Sequence, residues 1–310
     1  MSRPPKLDLP MRDGVSASAL ACPAGSWSSL VDYLVERLPL VPRAEWLARM
    51  ARAEVLDEAG RPLPPDSEYR AAVRIYYYRQ QHAEPDIPFE ETVLFQDDWL
   101  VVADKPHFLP VTPKGRYVQQ TLLTRLKKRL GIATLTPIHR IDRETAGLTV
   151  FAVRPDSRDA YQRLFRERQV DKLYEAIAAE PTQARQDLTL PMRYCSRLQE
   201  RADAFMQMQE VEGLPNAETH IELLRLLPGG LAHYALRPFS GRKHQLRAQM
   251  NALGLPIVGD RIYPVLLPSS EASDFDRPLQ LLARALAFSD PCTGQQRCFE
   301  SRRSLALLPG

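Results

Sequence analysis

The feature that most constrains this fold is the spacing of the apolar runs after residue 90. Strand-length runs such as TVLF, WLVVA, KLYEAIAA and LAHYALRP are interrupted by only a few helical segments, without a regular strand–helix alternation. A doubly wound parallel sheet needs that alternation. The pattern therefore predicts an α+β fold with a mixed, mainly antiparallel sheet.

Three helices are predicted among these strands. The segment QQTLLTRLKKRLG places Leu122, Leu126 and Leu130 on one side and ends at Gly131. The segment SRDAYQRLFRERQ forms the second helix, and RKHQLRAQMNALG forms the third.

The N-terminal third predicts a smaller α+β unit. Residues 1–26 lack periodicity and are predicted to be a loose arm, and residues 27–87 predict two helices and a strand that ends in three tyrosines. The apolar positions assigned to the two helices are Leu30, Tyr33, Leu34 and Leu38 in the first and Ala44, Leu47, Ala48 and Ala51 in the second. The polar, proline-containing segment QQHAEPDIPFEE is the predicted linker, so the larger domain is expected to span residues 88–310.

The composition excludes several classes of protein. With 44% hydrophobic and 25% charged residues, the chain resembles an ordinary globular protein, and its net charge of +3 is too small to indicate a nucleic-acid partner by itself. No run approaches the ~18 apolar residues of a membrane span, and no apolar segment of a signal peptide precedes Cys22. The four cysteines have neither a CxxC pair nor metal-ligand spacing. We expect a soluble, cytoplasmic protein without a metal site.

The stretch HRIDRETAGLTVF carries the strongest indication of chemistry. It places Asp142 between Arg140 and Arg143, followed by the turn-former Gly147 and an apolar run. A carboxylate between arginines is most often a surface ion pair. Here the apolar run predicts a buried strand, which can direct the carboxylate into a cleft, and His139 adds a further donor for phosphate or base edges. A second basic cluster, GRKHQLR, begins a helix, where anions are attracted.

Four separated motifs together resemble the RluA-type RNA pseudouridine synthases. HRIDRETAGL is similar to the family's H-R-L-D-R-x-T-S-G-L, and VDKLYEAI is similar to its K-x-Y-x-A-x-V strand. LVVADKPHFLPVTP resembles its opening strand with N-K-P-x-G-x-x-V-H-P, and LRPFSGRKHQLRAQMNALGLPIVGDRIY resembles L-x-T-G-R-T-H-Q-I-R-V-H-L-A-x-L-G-x-P-I-x-G-D-x-x-Y. The resemblance covers roughly residues 88–300 and implies the pseudouridine synthase fold for this domain.

The departures from these motifs replace no charged catalytic position, so they concern substrate choice more than activity. They are Asp104 for asparagine, Phe108 for glycine, Ile141 for leucine, Ala146 for serine, Lys243 for threonine, and Ala248-Gln249 for Val-His.

The resemblance implies roles for three residues. Asp142 corresponds to the catalytic aspartate, Arg247 to the basic residue that pairs with it, and Tyr174 to the aromatic that packs against the target base. Pseudouridine formation breaks the N–C glycosidic bond of uridine and rejoins the base through carbon. A carboxylate can attack or stabilise C1′, or abstract a proton there, and the sequence leaves these routes open.

The remaining polar residues of the motifs are expected to bind RNA or support the site. The target uridine must leave its stack, and Arg140 resembles the residue that fills the vacated space; a contact with phosphate or with Glu144 is the alternative. The other expected RNA- or substrate-binding residues are Lys105, His139, Arg143, Lys172, Arg242, His244 and Gln245.

The segment from Leu30 to Ile75 resembles the αL-type RNA-binding module that often precedes this catalytic domain. Its second helix carries Arg43, Arg49 and Arg52, while Ala53 replaces the first glycine of the module's turn. A structural cap without RNA contact is the alternative.

These observations predict an isomerase: a monomeric, cofactor-free and metal-free RNA pseudouridine synthase that modifies specific uridines in structured RNA, with ribosomal RNA favoured over transfer RNA. Two alternatives remain open. One is a non-catalytic RNA-binding or ribosome-assembly factor on the same fold. The other is a carboxylate-dependent glycosidase or nucleosidase, which needs a second carboxylate, and Glu144 is the nearest in sequence.

Overall fold

The chain forms two compact units in the computed structural model, which describes residues 7, 9–79, 84–181, 188–202, 204, 206–267 and 275–308. The first unit contains the chain up to Glu84 together with residues 115–119 and 124–133. The second contains residues 85–114, 120–123 and the chain from Thr134 onward. The main division falls inside the predicted linker, but two segments expected in the larger domain belong to the first unit.

The first unit is a three-stranded antiparallel sheet with helices. Its elements are β1 (Ser18–Ala21), α1 (Leu30–Arg37), α2 (Arg43–Ala51), β2 (Val55–Leu56) and β3 (Arg74–Tyr77), and the strand order is β1-β3-β2. Strand β1 lies within the segment predicted to be a loose arm, and it pairs with β3 from Ser18 opposite Tyr77 to Ala21 opposite Arg74. The expectation of a loose arm is wrong for Ser18–Ala21, because β3, more than fifty residues later in the chain, provides hydrogen-bond partners for their backbone.

The two N-terminal helices bury different kinds of face. In α1 the predicted residues Leu30, Tyr33 and Leu34 are buried. In α2 the buried residues are Trp46, Arg49 and Met50. On the predicted face, Leu47 and Ala48 are only half-buried, and Ala44 and Ala51 are exposed. Large side chains gain more from burial than alanine does, so they determine which face of a short helix turns inward.

The second unit is an 11-stranded sheet with helices. Helix α3 (Leu122–Leu130) has its residues from Thr124 onward in the first unit. The other elements are β4 (Thr92–Gln96), β5 (Leu100–Lys105), β6 (Thr136–Pro137), β7 (Ala146–Ala152), α4 (Arg158–Arg166), β8 (Asp171–Ala179), β9 (Met192–Glu200), β10 (Met208–Val211), β11 (Ala217–Leu227), β12 (Leu231–Pro238), α5 (Gln245–Ala252), β13 (Leu281–Ser289) and β14 (Gln296–Glu300). The strand order is β10-β9-β11-β12-β8-β13-β7-β5-β4, with β14 on β13 and β6 on β7.

The pairing of β7 and β13 makes the sheet mixed. These two strands run parallel, with Ala146 opposite Leu282 and Gly147 opposite Ala283, while the other pairs of this sheet are antiparallel. The predicted mixed, mainly antiparallel α+β fold is confirmed. Gly147, expected in a turn, lies inside β7 at φ +107°. A Cβ there would lie 2.3 Å from the Ala283 carbonyl oxygen, so only glycine permits this approach of the two strands.

Helix α5 is buried almost all round. Its residues from Gln245 to Met250 are buried, and the helix begins at Gln245 because His244 adopts a left-handed conformation at φ +50°. It therefore starts later than the predicted RKHQLRAQM segment. Burial on every side brings Arg247 into the interior of the second unit. Among the helices of the described residues, none is long and apolar enough to cross a membrane.

Candidate active site

Asp142 and Arg247 form an ion pair between two distant parts of the chain. Asp142 lies in the loop between β6 and β7 with its side chain 28% exposed, whereas the side chain of Arg247 on α5 is 1% exposed. Arg247 Nη1 donates to Asp142 Oδ2 at 3.0 Å. The structure thus brings together the two residues that sequence analysis assigned to one ion pair.

A second carboxylate, Asp260, completes this arrangement and was missed by sequence analysis. Arg247 donates from Nε to Asp260 Oδ2 at 2.8 Å and from Nη2 to Asp260 Oδ1 at 2.7 Å. The side chain of Asp260 is fully buried. The motif IVGDRIY contains this aspartate, but only the fold shows that it faces Arg247.

The surroundings of Asp142 favour its ionised form. Burial by itself acts to raise the pKa of Asp142, but the nearby His244 and Arg247 outweigh it and hold the pKa below its usual value. His244 Nε2 lies 3.8 Å from Asp142 Oδ1. Burial acts to lower the pKa of Arg247, yet the hydrogen bonds and charge of Asp260 and the charge of Asp142 raise it above its ordinary range. The site therefore holds a permanent cation beside an ionised carboxylate.

Tyr174 lies at the centre of the sheet near this pair. Its backbone is opposite Leu236 of β12 and Ala283 of β13, and its half-buried side chain packs against the core of the second unit. Burial, followed by the negative charge of Asp142, raises the pKa of the Tyr174 phenol. The phenol is therefore neutral at physiological pH and suited to packing against a base.

Lys105 supports the loop that carries Asp142. Its fully buried side chain donates from Nζ to the carbonyl oxygens of Pro106 at 2.9 Å and Arg143 at 3.0 Å. Burial lowers the pKa of Lys105 to about 7. His107 Nδ1 lies 2.6 Å from the Glu144 carbonyl oxygen in the same loop. Of the two expected roles of Lys105, these contacts favour support of the site, because its ammonium group contacts backbone inside the protein.

His139 also has a structural position. Its Nε2 accepts a hydrogen bond from the Val150 N–H at 3.1 Å, and its ring stacks on Phe165 with the centroids 4.4 Å apart. Burial, followed by the charge of Lys172, lowers the pKa of His139 to about 3, so the ring is neutral. These contacts fix the start of the loop that leads to Asp142.

Gln245 and Lys172 hold the segment before α5. The side chain of Gln245 is buried: Oε1 accepts from Ser240 Oγ and Arg242 N, and Nε2 donates to Glu218 O and Thr219 Oγ1. Lys172 Nζ donates to the Ser240 carbonyl oxygen at 2.9 Å. Of the two expected roles of Gln245, these contacts favour support of the site, because protein groups occupy its amide.

Three predicted RNA-binding arginines lie closer to solvent. Arg140 and Arg242 are exposed, and Arg242 Nε also donates to the Asn216 carbonyl oxygen at 3.1 Å. Arg143 pairs with Glu144 at 2.8 Å. Glu144, the second carboxylate that a glycosidase would need, is therefore engaged by Arg143, and its carbonyl contacts His107.

Three of the departures from the family motifs, Phe108, Asp104 and Gln249, make specific local contacts. Phe108 adopts φ +66°, the region that glycine occupies most easily, and its ring packs 5.2 Å from that of Phe275. Asp104 accepts hydrogen bonds from Ser301 Oγ and Arg302 N. Gln249 accepts from Thr219 Oγ1 at 2.6 Å and donates to Ser196 Oγ at 3.0 Å.

Comparison with known proteins identifies the family. A model described as RNA pseudouridylate synthase matches residues 99–252. The Haemophilus influenzae dual-specificity RNA pseudouridine synthase RluA is 31% identical over 214 residues, which cover 68% of this chain and 92% of that protein. Its namesake from Escherichia coli K12 is 32% identical over 214 residues, covering 67% and 91%. The solved structure of human RNA pseudouridylate synthase domain containing 4 is 28% identical, with a TM-score of 0.52, and the match covers 68% of this chain and 87% of that one. The chain therefore belongs to the RluA-type family of RNA pseudouridine synthases, isomerases that act on uridines in RNA.

Proposed function

We propose that Asp142 is the catalytic carboxylate with which this chain isomerises specific uridines in structured RNA. The observation that carries the proposal is the convergence of an ionised Asp142, a buried cationic Arg247 and the neutral phenol of Tyr174 in one region of the second unit. Within the described part of the chain, the two neighbouring carboxylates, Asp260 and Glu144, are paired with Arg247 and Arg143, which leaves Asp142 to act at a single sugar carbon.

The reaction breaks the bond between N1 of uracil and C1′ and forms a bond between C5 and C1′. The base loses its C5 proton and gains a proton on N1, so no redox partner is required. Asp142 either attacks C1′ or removes a proton from the sugar, and both routes require the ionised form that Arg247 and His244 favour. Tyr174 packs against the displaced uracil.

The substrate side of the proposal concerns the type of RNA. The exposed Arg140 fills the space left by the flipped uridine. Arg143 lies on the same loop, and Arg242 and His244 lie in the segment before α5, where His244 is 3.8 Å from Asp142. We propose ribosomal RNA as the preferred substrate over transfer RNA. The two relatives carry the name dual-specificity, which is consistent with more than one RNA being used. We propose a monomeric cytoplasmic enzyme without cofactor.

The deciding experiment maps pseudouridines in total RNA from cells with and without the gene. Loss of one or a few ribosomal sites supports the proposal, loss only in transfer RNA changes the preferred substrate, and no loss in either contradicts the proposed substrate. The purified chain is then assayed on the identified RNA in excess EDTA without added nucleotide. We expect turnover under these conditions.

A further inference from the structure

We propose that Asp260 is a positioning residue for the reaction, which acts on Asp142 only through Arg247. This inference depends on the proposed function, because it assumes that Asp142 performs the chemistry. Asp260 lies in none of the catalytic or RNA-binding sets predicted from sequence, and no contact places it against Asp142 itself.

The geometry of the guanidinium is the first argument. Asp260 receives two parallel hydrogen bonds, from Nε at 2.8 Å and from Nη2 at 2.7 Å, which leaves Nη1 directed at Asp142 at 3.0 Å. A planar guanidinium held at two points has its third nitrogen fixed in direction. Asp260 therefore determines where Arg247 meets Asp142.

Asp260 is itself immobilised. Its Oδ1 also accepts from the backbone N–H groups of Ile262 at 2.8 Å and Tyr263 at 3.1 Å. The preceding Gly259 adopts φ +78°, and a Cβ there would lie 2.4 Å from the Pro278 carbonyl oxygen. A carboxylate on so closely packed a backbone can transmit a fixed geometry to its partner.

The charges around Arg247 also favour this role. Arg247 is 1% exposed and has two carboxylate partners, of which Asp260 is fully buried and Asp142 is 28% exposed. Two carboxylates against one guanidinium leave a net negative charge. Asp260 takes the hydrogen bonds of Nε and Nη2, so Asp142 receives a single hydrogen bond from Nη1. Its carboxylate therefore stays available for reaction. Without Asp260, Arg247 can turn two nitrogens towards Asp142 and hold it too firmly.

The chain supplies a matched control in Asp290. This aspartate is also fully buried, pairs with Arg297 at 3.1 Å, and accepts from two backbone N–H groups two and three residues later, Cys292 at 2.9 Å and Thr293 at 3.2 Å. Like Asp260, it is a buried carboxylate with one arginine partner and two backbone donors, although it makes a single hydrogen bond to the arginine and also accepts from the Tyr161 hydroxyl at 2.8 Å. Among the described residues, its contacts do not include Arg247 or Asp142. Asp290→Asn therefore shows how much neutralising a buried, arginine-paired aspartate lowers the thermal midpoint without changing the proposed site.

The experiment compares Asp260→Asn with Asp290→Asn. Single-turnover rate at saturating RNA, RNA affinity and thermal midpoint are measured on the full chain. We expect Asp260→Asn to lower the rate on the order of 100-fold, as misplacement of a catalytic group by about 1 Å does, with RNA affinity changed less than about threefold. Asp290→Asn should keep the wild-type rate. Asp260→Ser, whose hydroxyl still accepts the two backbone hydrogen bonds, replaces Asp260→Asn if that variant does not fold.

A double-mutant cycle with Arg247→Lys decides whether Asp260 acts through Arg247. A lysine has no planar fork to orient, so Asp260→Asn should lower the rate of Arg247→Lys by less than about threefold. An equal loss in both backgrounds, or an Asp260→Asn rate equal to that of Asp290→Asn, overturns the inference. If wild type makes no pseudouridine, or Asp142→Asn remains active, the proposed function has failed instead.

Discussion

At the scale of single residues, the proposed site centres on Asp142, which has one partner at hydrogen-bond distance and one farther away. Asp142 makes one hydrogen bond to Arg247 and lies 3.8 Å from His244, while the phenol of Tyr174 is kept neutral by burial and by the charge of Asp142. The side chain of Asp142 is 28% exposed, which leaves it accessible to a substrate while neighbouring charges still shift its pKa. Substitutions that alter charge without altering shape are therefore the most informative.

Asp142→Asn should abolish pseudouridine formation while leaving RNA binding and folding nearly unchanged. The amide oxygen can still accept from Arg247 Nη1, but it supplies no charge at C1′. We expect a single-turnover rate lower by at least about 1,000-fold and an RNA affinity within about threefold of wild type. A rate within tenfold of wild type would remove Asp142 from the catalytic role.

Arg247→Ala should lose both activity and stability. It leaves Asp260 fully buried without its cation, which typically costs about 3–5 kcal/mol of folding free energy. Arg247→Lys should fold better and recover only part of the rate, because an ammonium group cannot reproduce the three-point contact. Urea denaturation and single-turnover kinetics measure the two effects. Normal turnover by Arg247→Ala would contradict the proposed pair.

At the scale of elements, the approach of β7 to β13 determines where the loop of Asp142 begins. Gly147 opposite Ala283 allows a backbone contact closer than any side chain permits, and the loop leaves β7 one residue earlier, at Ala146. Lys105 at the end of β5 holds this loop through the Arg143 carbonyl oxygen, and Asp142 in the loop contacts Arg247 of α5.

Gly147→Ala should destabilise the protein by roughly 3 kcal/mol or more, because strain at φ +107° adds to a backbone overlap that must separate the strands. Gly131→Ala is the matched control. Gly131 also has a positive φ, +69°, but a Cβ there meets nothing within 4 Å, so about 1 kcal/mol is expected. Chemical denaturation of both variants provides the comparison. Equal losses would mean that the close approach contributes nothing.

At the scale of the whole molecule, two half-buried histidines, His107 and His139, make stability depend on pH. Burial lowers the pKa of His139 to about 3 and that of His107 to about 4, from 6.5. The unfolded chain therefore binds more protons than the folded one between these values, and stability falls as the pH drops below about 6.5.

For each of these histidines, protonation of the unfolded chain should lower the free energy of unfolding by about 2 kcal/mol at pH 5 relative to pH 8. Urea denaturation across this range measures the slope, and His139→Gln should reduce it, whereas the same change at the exposed His220 should not. An identical pH slope in wild type and His139→Gln would contradict the assignment.

The arginines in and directly after α2 in the first unit are paired with acidic residues, so they attract RNA phosphate less than their number suggests. Arg43 pairs with Asp32 at 2.5 Å, Arg49 with Glu45 at 2.8 Å, and Arg52 with Glu54 at 3.0 Å. These acidic partners lower the net attraction for phosphate that sequence analysis expected from the helix. The RNA-binding role of this unit stays a prediction.

Deleting residues 1–84 should lower the thermal stability of the protein and reduce its RNA affinity several-fold. Helix α3 stays in the truncated chain but loses the contact of Lys127 with Ser16 and the close packing of Gly14 on Thr124. We expect a lower thermal midpoint with a single-turnover rate at saturating RNA close to that of the full chain. A folded truncate that binds RNA normally but does not turn over would contradict this division of labour.

Much of the site was predictable because its residues lie in contiguous motifs. Asp142, Arg247 and Tyr174 each occur in a segment whose residue types and order carry information, and their elements follow from apolar periodicity. Lys105 and Gln245 were recognised as motif members, but their burial was not, since polar residues within a motif look alike whether they face RNA or the protein interior.

The sequence by itself determined the mixed, mainly antiparallel α+β fold, the family and the pairing of Asp142 with Arg247, but it did not mark the long strands β9, β11 and β13. Only the tertiary structure decided that Asp260 completes the ion pair, that β1 joins β3, and that Gly147 allows two strands to meet. The physical reason is that local patterns record which face of an element is apolar, whereas contacts between distant segments depend on how those elements pack. Burial of a charge, the direction of a guanidinium and the closeness of two backbones arise only from that packing.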